Sequence, residues 1–467
     1  MSRARVLFAA AFVGLLLSGE LALPVGGQVV KDQGYLPFAE APINYRSENL
    51  DDPIARLQKK LDRGEARLEY EAGFGYFRAV LRALHIPVSS QTLVFSKTSF
   101  QFPKISPERP RALYFNDDIY AGRVHGGASL EFISFDPMQG AIFYILNDQP
   151  AEHPRFERAA LDCVQCHVAA ASTRGVPGVL LRSIFTTRSG TQAPGTPAFI
   201  TGQESPLKDR WGGWYVTGSL GKQTHLGNLV RPDGAGPDQL DTTTRANLPD
   251  VKGLVDAKDY LTGYSDIVAH LVLAHQTQMH NLITLTNYQT RLALYGGGSR
   301  NRANRSAELV VAPVAASVAG AVTNQSAISD VARKQFERPA EQLVRYLLFT
   351  NEAPLGEPVA GTSGFAEEFA ARGPRDDRGR SLRDFDLRRR IFKYPCSYLI
   401  YSEAFDAIPQ PAKDYVYRRL FEILSGREQG PDFASLSSED RRAILEILVA
   451  TKPGLPEGWK EFVQQTQ

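Results

Sequence analysis

Sulfur is scarce in this sequence: its 467 residues hold three cysteines and three methionines. So few thiols exclude a disulfide framework of the kind that staples small secreted domains. Stability is left to buried apolar side chains, which a chain of this length can supply. An excess of one charge is missing too. Lysine and arginine total 53 against 51 aspartates and glutamates, so there is no bulk electrostatic case for a nucleic acid or an anionic membrane as partner. Beyond the N-terminus no apolar run is long enough to span a bilayer. Neither a G-x-G-x-x-G nor a P-loop pattern appears, which removes the commonest nucleotide-binding signatures.

Two of the three cysteines stand together, in Cys163-Val164-Gln165-Cys166-His167. On one helical turn Cys163 and Cys166 face the same side, and His167 presents its imidazole from the same turn. A structural zinc site wants four ligands, and the only other cysteine is Cys396. A thioredoxin-like redox pair wants a βαβ setting, which is not visible around residue 163. The pattern is the one used to attach a c-type haem.

The N-terminus fits that chemistry. Arg3 and Arg5 precede an apolar run from Val6 to Leu17, too short to span a bilayer easily and suited to the core of a signal peptide. Val25 and Gly27 suit cleavage before Gln28. Residues 1–27 are therefore expected to be a signal peptide, with an uncleaved anchor as the alternative. The mature chain is expected in the periplasm or another extracytoplasmic space, with no membrane span.

On these five residues the chain resembles monohaem c-type cytochromes, and more loosely the large exported bacterial haem proteins of uncharacterised role. The resemblance implies one covalent haem c, Cys163 and Cys166 as thioether anchors, and His167 as the proximal iron ligand. A small cytochrome c would also carry a distal methionine well downstream, often beside proline. Here the methionines are Met1, Met138 and Met279, and the distal ligand does not carry over.

In chain order, Asp51-Asp52-Pro53 opens a helix with an apolar stripe at Ile54, Leu57, Leu61 and Leu68. A second helix is expected from Glu71 to Leu84. Strand-like runs follow at Thr92–Phe95, Ala112–Phe115, Leu130–Phe135 and Ala141–Leu146, with turn residues between them. Asn116, Asp117 and Asp118 read as turn chemistry rather than a calcium or acid/base site. This gives a mixed α/β N-terminal domain over 28–154 and a c-type haem region over 155–295, where Phe156–Ala171 is expected as the helix bearing the motif. Residues 296–330 read as a linker or surface excursion, and 331–467 as a helical C-terminal region. The fold class is α+β: mainly α-helical haem and C-terminal regions with a small N-terminal antiparallel sheet. The arginine-rich stretch Arg372–Lys393 reads as a solvated, charge-mixed loop, and Cys396 as a small buried apolar residue.

Three side chains are candidates for the far side of the iron. His225 lies among glycines beside Arg210-Trp211-Gly212-Gly213-Trp214-Tyr215, where aromatics could pack on a haem. His275 and Met279 share the apolar face of a helix expected from Ser265 to about Leu294, with Val268, Val272 and Leu282. A histidine or methionine there makes a low-spin electron carrier serving a redox partner protein. An open position would instead suit a haem enzyme, peroxidase-like or acting on another small substrate. The single motif argues against the di-haem peroxidase plan.

Overall fold

The first helix begins where its aspartates and proline say it should. In the computed structural model α1 is Pro53–Asp62. Asp52 caps it, with Oδ1 accepting from the amides of Ile54 (3.0 Å) and Ala55 (3.2 Å). The structure describes residues 36–232, 241–308 and 328–466, apart from the side chains of 160–162, 165 and 297–308. The expected signal peptide therefore lies outside the described residues, as does 309–327 of the expected linker. Helix α2, Phe77–Ala83, is shorter than its pattern suggested, because Glu71 and Gly75 first close a tight turn.

The expected strands are present and three more join them. β1 is Thr92–Val94, β2 Arg111–Phe115, β3 Ile119–Arg123, β4 Ser129–Asp136, β5 Gly140–Asn147 and β6 Phe156–Arg158. β7 (Arg182–Ile184) and β8 (Ala198–Ile200) form a separate pair, and β9 is Trp214–Tyr215. The main sheet has seven antiparallel strands in the order β6-β5-β4-β3-β2-β1-β9. The fold is thus mixed α and β, but the sheet is not small and not confined to the N-terminal region. Its last strand comes from the segment expected to be the haem region, and its first from the stretch expected as the start of the motif helix. By their contacts the described residues group as one unit.

Alternation along the strands gives the sheet two apolar faces. One is covered by the N-terminal helices. There Tyr144 donates to Asp52 (2.7 Å), Tyr45 to the carbonyl of Ala141 (2.6 Å), and Phe77 meets Tyr114 with ring centroids 5.2 Å apart. The other face carries the long helix. After α3 (Ala160–His167) and α4 (Ala170–Thr173), helix α5 runs from Ile267 to Glu308, through Gly296-Gly297-Gly298, where a linker was expected. Its far side packs on α6 (Asp330–Leu347) and α9 (Gln410–Leu424). Between α6 and α9 come the short helices α7 (Phe365–Ala371) and α8 (Glu403–Asp406). Last come α10 (Ser438–Thr451), capped by Ser437, and α11 (Gly458–Thr466).

Every residue from Ser265 to Tyr288 is buried, so this part of α5 has no solvated face. Its polar side chains bond to other layers instead. Gln276 donates to the Asn116 carbonyl (2.7 Å) and the Tyr120 hydroxyl (3.0 Å), and Tyr288 to the carbonyl of Gln139 (2.7 Å). Asp266, fully buried, starts the helix. One carboxylate oxygen takes the amides of Val268 (2.8 Å) and Ala269 (3.2 Å). The other takes the amides of Thr362 and Ser363 and the Ser363 hydroxyl at 2.7, 2.8 and 2.9 Å. Asp266→Ala strands all five donors and is expected to destabilise the fold by roughly 4 kcal/mol, read as a fall in the urea midpoint at constant slope. Asp266→Asn, which keeps one accepting oxygen, should lose less.

The Cys163–His167 segment as the candidate site

Helix α3 follows β6 after a single residue and lies against β5, the Ala159 amide donating to the Phe143 carbonyl at 2.9 Å. The helix stops at His167, because Val168 is extended (φ −130°, ψ 90°). Cys163 is half-buried and Cys166 exposed, and no disulfide joins them. The His167 ring packs on Phe143, centroids 4.9 Å apart. Its Nδ1 lies 2.9 Å from the carbonyl oxygen of Gly178. A carbonyl only accepts, so the proton sits on Nδ1 and Nε2 keeps its lone pair. Burial holds the His167 pKa below its ordinary value, and Arg111 adds to this while the Gly178 bond and Glu131 oppose it. The ring is neutral at pH 7.

The Gly178 carbonyl is itself held in place. The Gly178 amide returns a bond to the His167 carbonyl (3.0 Å). The next residue, Val179, is clamped by Asn281 of α5: its amide donates to Asn281 Oδ1 (3.0 Å) and its carbonyl accepts from Nδ2 (2.7 Å). Asn281 is fully buried. Residue 178 has to be glycine, since a Cβ there would lie 2.1 Å from Asn281 Oδ1. Sequence reasoning missed Asn281, as an asparagine inside a helical pattern carries no signal of what it will reach.

Strand register sets out the rest of the neighbourhood. Glu131, opposite Ile145, shares a face of the sheet with Ile133, opposite Phe143, and with Arg111 and Leu113 of β2. Arg111 pairs with Glu131 at 2.5 Å, both side chains being largely buried. Gly122, on the strand between them, leaves room for the guanidinium, because a Cβ there would lie 2.5 Å from Arg111 Nη2. Glu131 also accepts from Ser99 (2.5 Å) and Gln101 (2.8 Å). Leu113, Ile133 and Ile145 on this face are half-buried. The site therefore offers two thiols on one turn, a neutral imidazole with a free Nε2, apolar strand surface and one paired arginine.

The other expected residues are placed elsewhere. His225 is buried beside β9, its Nε2 3.0 Å from the Ala246 carbonyl and its ring 5.2 Å from Trp211. β9 and β5 are five strand spacings apart, about 24 Å along the sheet. The Trp211, Trp214, His225 and His270 cluster is a buried aromatic core beside a glycine turn. Both nitrogens of His275 are engaged, Nδ1 with Gln203 Oε1 (2.6 Å) and Nε2 with Ser397 Oγ (2.7 Å). Met279 is fully buried and lies two residues from Asn281, about 160° round the helix from the side that meets Val179. Among the described residues no hydrogen bond or ring contact links any of these three to His167.

Asn116–Asp118 is a turn, with Asn116 Oδ1 taking the amides of Asp118 (3.1 Å) and Ile119 (3.0 Å). Arg372–Lys393 is tied down by ion pairs: Arg383 with Asp117, Arg378 and Arg380 with Glu446, and Arg390 with Asp440. Cys396 is fully buried, as expected, and burial pushes its thiol up to about 12.

Among the described residues no group of three or more His, Cys, Asp or Glu could hold a metal ion by itself, and no helix is long and apolar enough to cross a membrane. No protein-family model, curated protein or solved structure matches the chain.

Proposed function

We propose that this chain is an exported monohaem c-type cytochrome that transfers single electrons, through one covalently bound haem, to a redox partner protein. The observation that carries the reading is the state of His167 within its motif. Its Nδ1–H is taken by the Gly178 carbonyl, so Nε2 is the atom left to bind iron. Metal-bound histidines almost always donate their other ring N–H to such a partner. The thiols fit as well. Cys166 is exposed and Cys163 half-buried on the same helical turn, and each can add its sulfur to one carbon of a vinyl group and its hydrogen to the other. That reaction needs no oxidant. A tetrapyrrole supplies most of the iron's ligands, so the want of a larger ligand cluster does not count against the fit. When bound, the haem supplies reversible one-electron chemistry. The chain's own residues anchor it, present Nε2, hold the Nδ1 proton and supply apolar surface at Leu113, Ile133 and Ile145.

A second reading is a haem oxidoreductase acting on peroxide or another small molecule at an open iron position. It is favoured by the placement of His225, His275 and Met279 away from His167. Absorption spectra of the oxidised and reduced protein, with and without carbon monoxide, separate the two. A six-coordinate low-spin spectrum that resists carbon monoxide supports the carrier. A high-spin spectrum and ready carbon monoxide binding support the enzyme. Export rests on Arg3, Arg5 and Val6–Leu17; the mature N-terminus is expected near Gln28, and an intact chain in the cytoplasm would contradict it.

A further inference from the structure

We propose that Asn281 is a positioning residue for the haem iron, acting on His167 through the backbone of residues 178 and 179. The proposal rests on the covalent-haem reading above. Its starting point is that Asn281 comes from α5, more than a hundred residues along the chain from the motif, yet spends both ends of its carboxamide on a single residue beside it.

The bonds at Val179, 3.0 Å from its amide to Oδ1 and 2.7 Å from Nδ2 to its carbonyl, form a closed pair. Such a pair fixes the orientation of the peptide planes on both sides of Val179, because each plane contributes one of the bonded groups. One of those planes holds the Gly178 carbonyl, which accepts the His167 Nδ1–H at 2.9 Å. Gly178 also donates back to the His167 carbonyl at 3.0 Å. The carboxamide, the Gly178–Val179 peptide and the imidazole are thus linked in series. The fit leaves no slack, since a Cβ on residue 178 would meet Asn281 Oδ1 at 2.1 Å. Asn281 is itself anchored in the most deeply buried part of α5.

The chemical consequence follows from what a well-aligned acceptor does to imidazole. Drawing the Nδ1 proton toward the Gly178 oxygen pushes electron density onto Nε2 and strengthens it as a donor to iron. A stronger donor favours the ferric state and lowers the reduction potential. With Asn281 gone, the 178–179 peptide is free to turn, the bond to Nδ1 weakens, and the potential rises. Loss of one outer partner commonly weakens a metal site ten- to a hundredfold. A tenfold loss of preference for ferric over ferrous iron reads as a rise of about 59 mV for one electron.

The test uses the exported, haem-loaded protein. Asn281→Leu removes both bonds at similar volume. Its midpoint potential is measured by spectroelectrochemistry, and solvent exchange of its His167 Nδ1 proton by NMR. The expected result is a more positive potential and faster exchange. The control is Asn287→Leu, an equally buried asparagine on the same helix that bonds instead to the carbonyls of Ala407 (3.0 Å) and Pro137 (3.5 Å). It should destabilise the fold while leaving the potential and the proton unchanged. A haem-loaded Asn281→Leu protein with wild-type potential and exchange overturns the proposal. So does an Asn287→Leu protein that shifts both as much, since the effect would then be general loosening. If Asn281→Leu fails to retain haem, Asn281→Gln takes its place: displacing the carboxamide by one methylene should shift both readouts the same way, and no shift overturns the proposal. Wild-type protein without covalent haem would instead overturn the functional reading on which this one stands.

Discussion

Replacing Cys163 and Cys166 together by alanine is expected to abolish covalent haem completely. Wild-type protein, denatured and run on a gel, should retain its haem; the double variant should release all of it. Either single variant should retain a reduced amount, with the spectrum of a haem bearing one unsaturated vinyl group. The expectation is all-or-none because, among the described residues, the only other cysteine is Cys396, buried at the far side of α5 where its neighbour Ser397 bonds His275. His167→Ala leaves both thiols and so separates attachment from ligation: some haem should stay linked, with the spectrum of an iron that has lost its imidazole. If the double variant kept its haem covalently linked, the assignment of both thiols would fail.

The second large effect is acid lability. Four histidines are buried without charge. Burial lowers His225 and His280 to about 4, and His270 and His275 to about 3, from an ordinary 6.5. His275 shows what protonation would break. With the Nδ1 proton given to Gln203, Nε2 accepts from the Ser397 hydroxyl; a second ring proton would force that hydroxyl to turn and would place a positive charge in a fully buried site. A group whose folded pKa lies below its unfolded one takes up a proton on unfolding in the window between the two. The stability these four provide is complete above pH 6.5 and is lost as pH falls toward 4. Two carboxyls work against them. Asp118 and Glu352 are pushed up to about 7, mainly by burial, so the folded state holds extra protons in the same window. Both are only half-buried by surface area, so water screens part of that effect. Four imidazoles outweigh two partly screened carboxyls by about two to three protons, or roughly 3 to 4 kcal/mol per pH unit at the steepest point. Urea midpoints measured from pH 7.5 to 4.5 should fall sharply below 6.5. His275→Asn should flatten the slope by about one proton, roughly 1.4 kcal/mol per unit. A flat profile in the wild type would show that these rings are not held neutral.

The elements that were legible in the sequence are those whose signals are local. The helix start at Asp52, the four apolar strand runs and the turn at Asn116 all depend on residues within a few positions of one another. β3 escaped notice because it needs Gly122, a poor strand former, for the Arg111 guanidinium to lie across it. β6 was hidden in the expected motif helix: Phe156–Arg158 has no pattern of its own and becomes a strand only by pairing with Tyr144–Leu146. For α5 the helix was legible but its environment was not. Gln276, Asn281 and Asn287 each find a partner in a distant segment. The motif could be read from five letters. The support behind it could not, because the separation of Asn281 from Gly178 follows no short-range rule.

The sheet's two outermost strands are brief: three residues in β6 and two in β9. Such brief edges give a neighbouring chain little unpaired backbone to extend, so the folded protein is guarded against edge-to-edge aggregation. The guard at one end is supplied late. β1 pairs with β9 at Leu93–Tyr215 and Val94–Trp214, so that flank closes only once residues 214 and 215 have folded back onto the sheet.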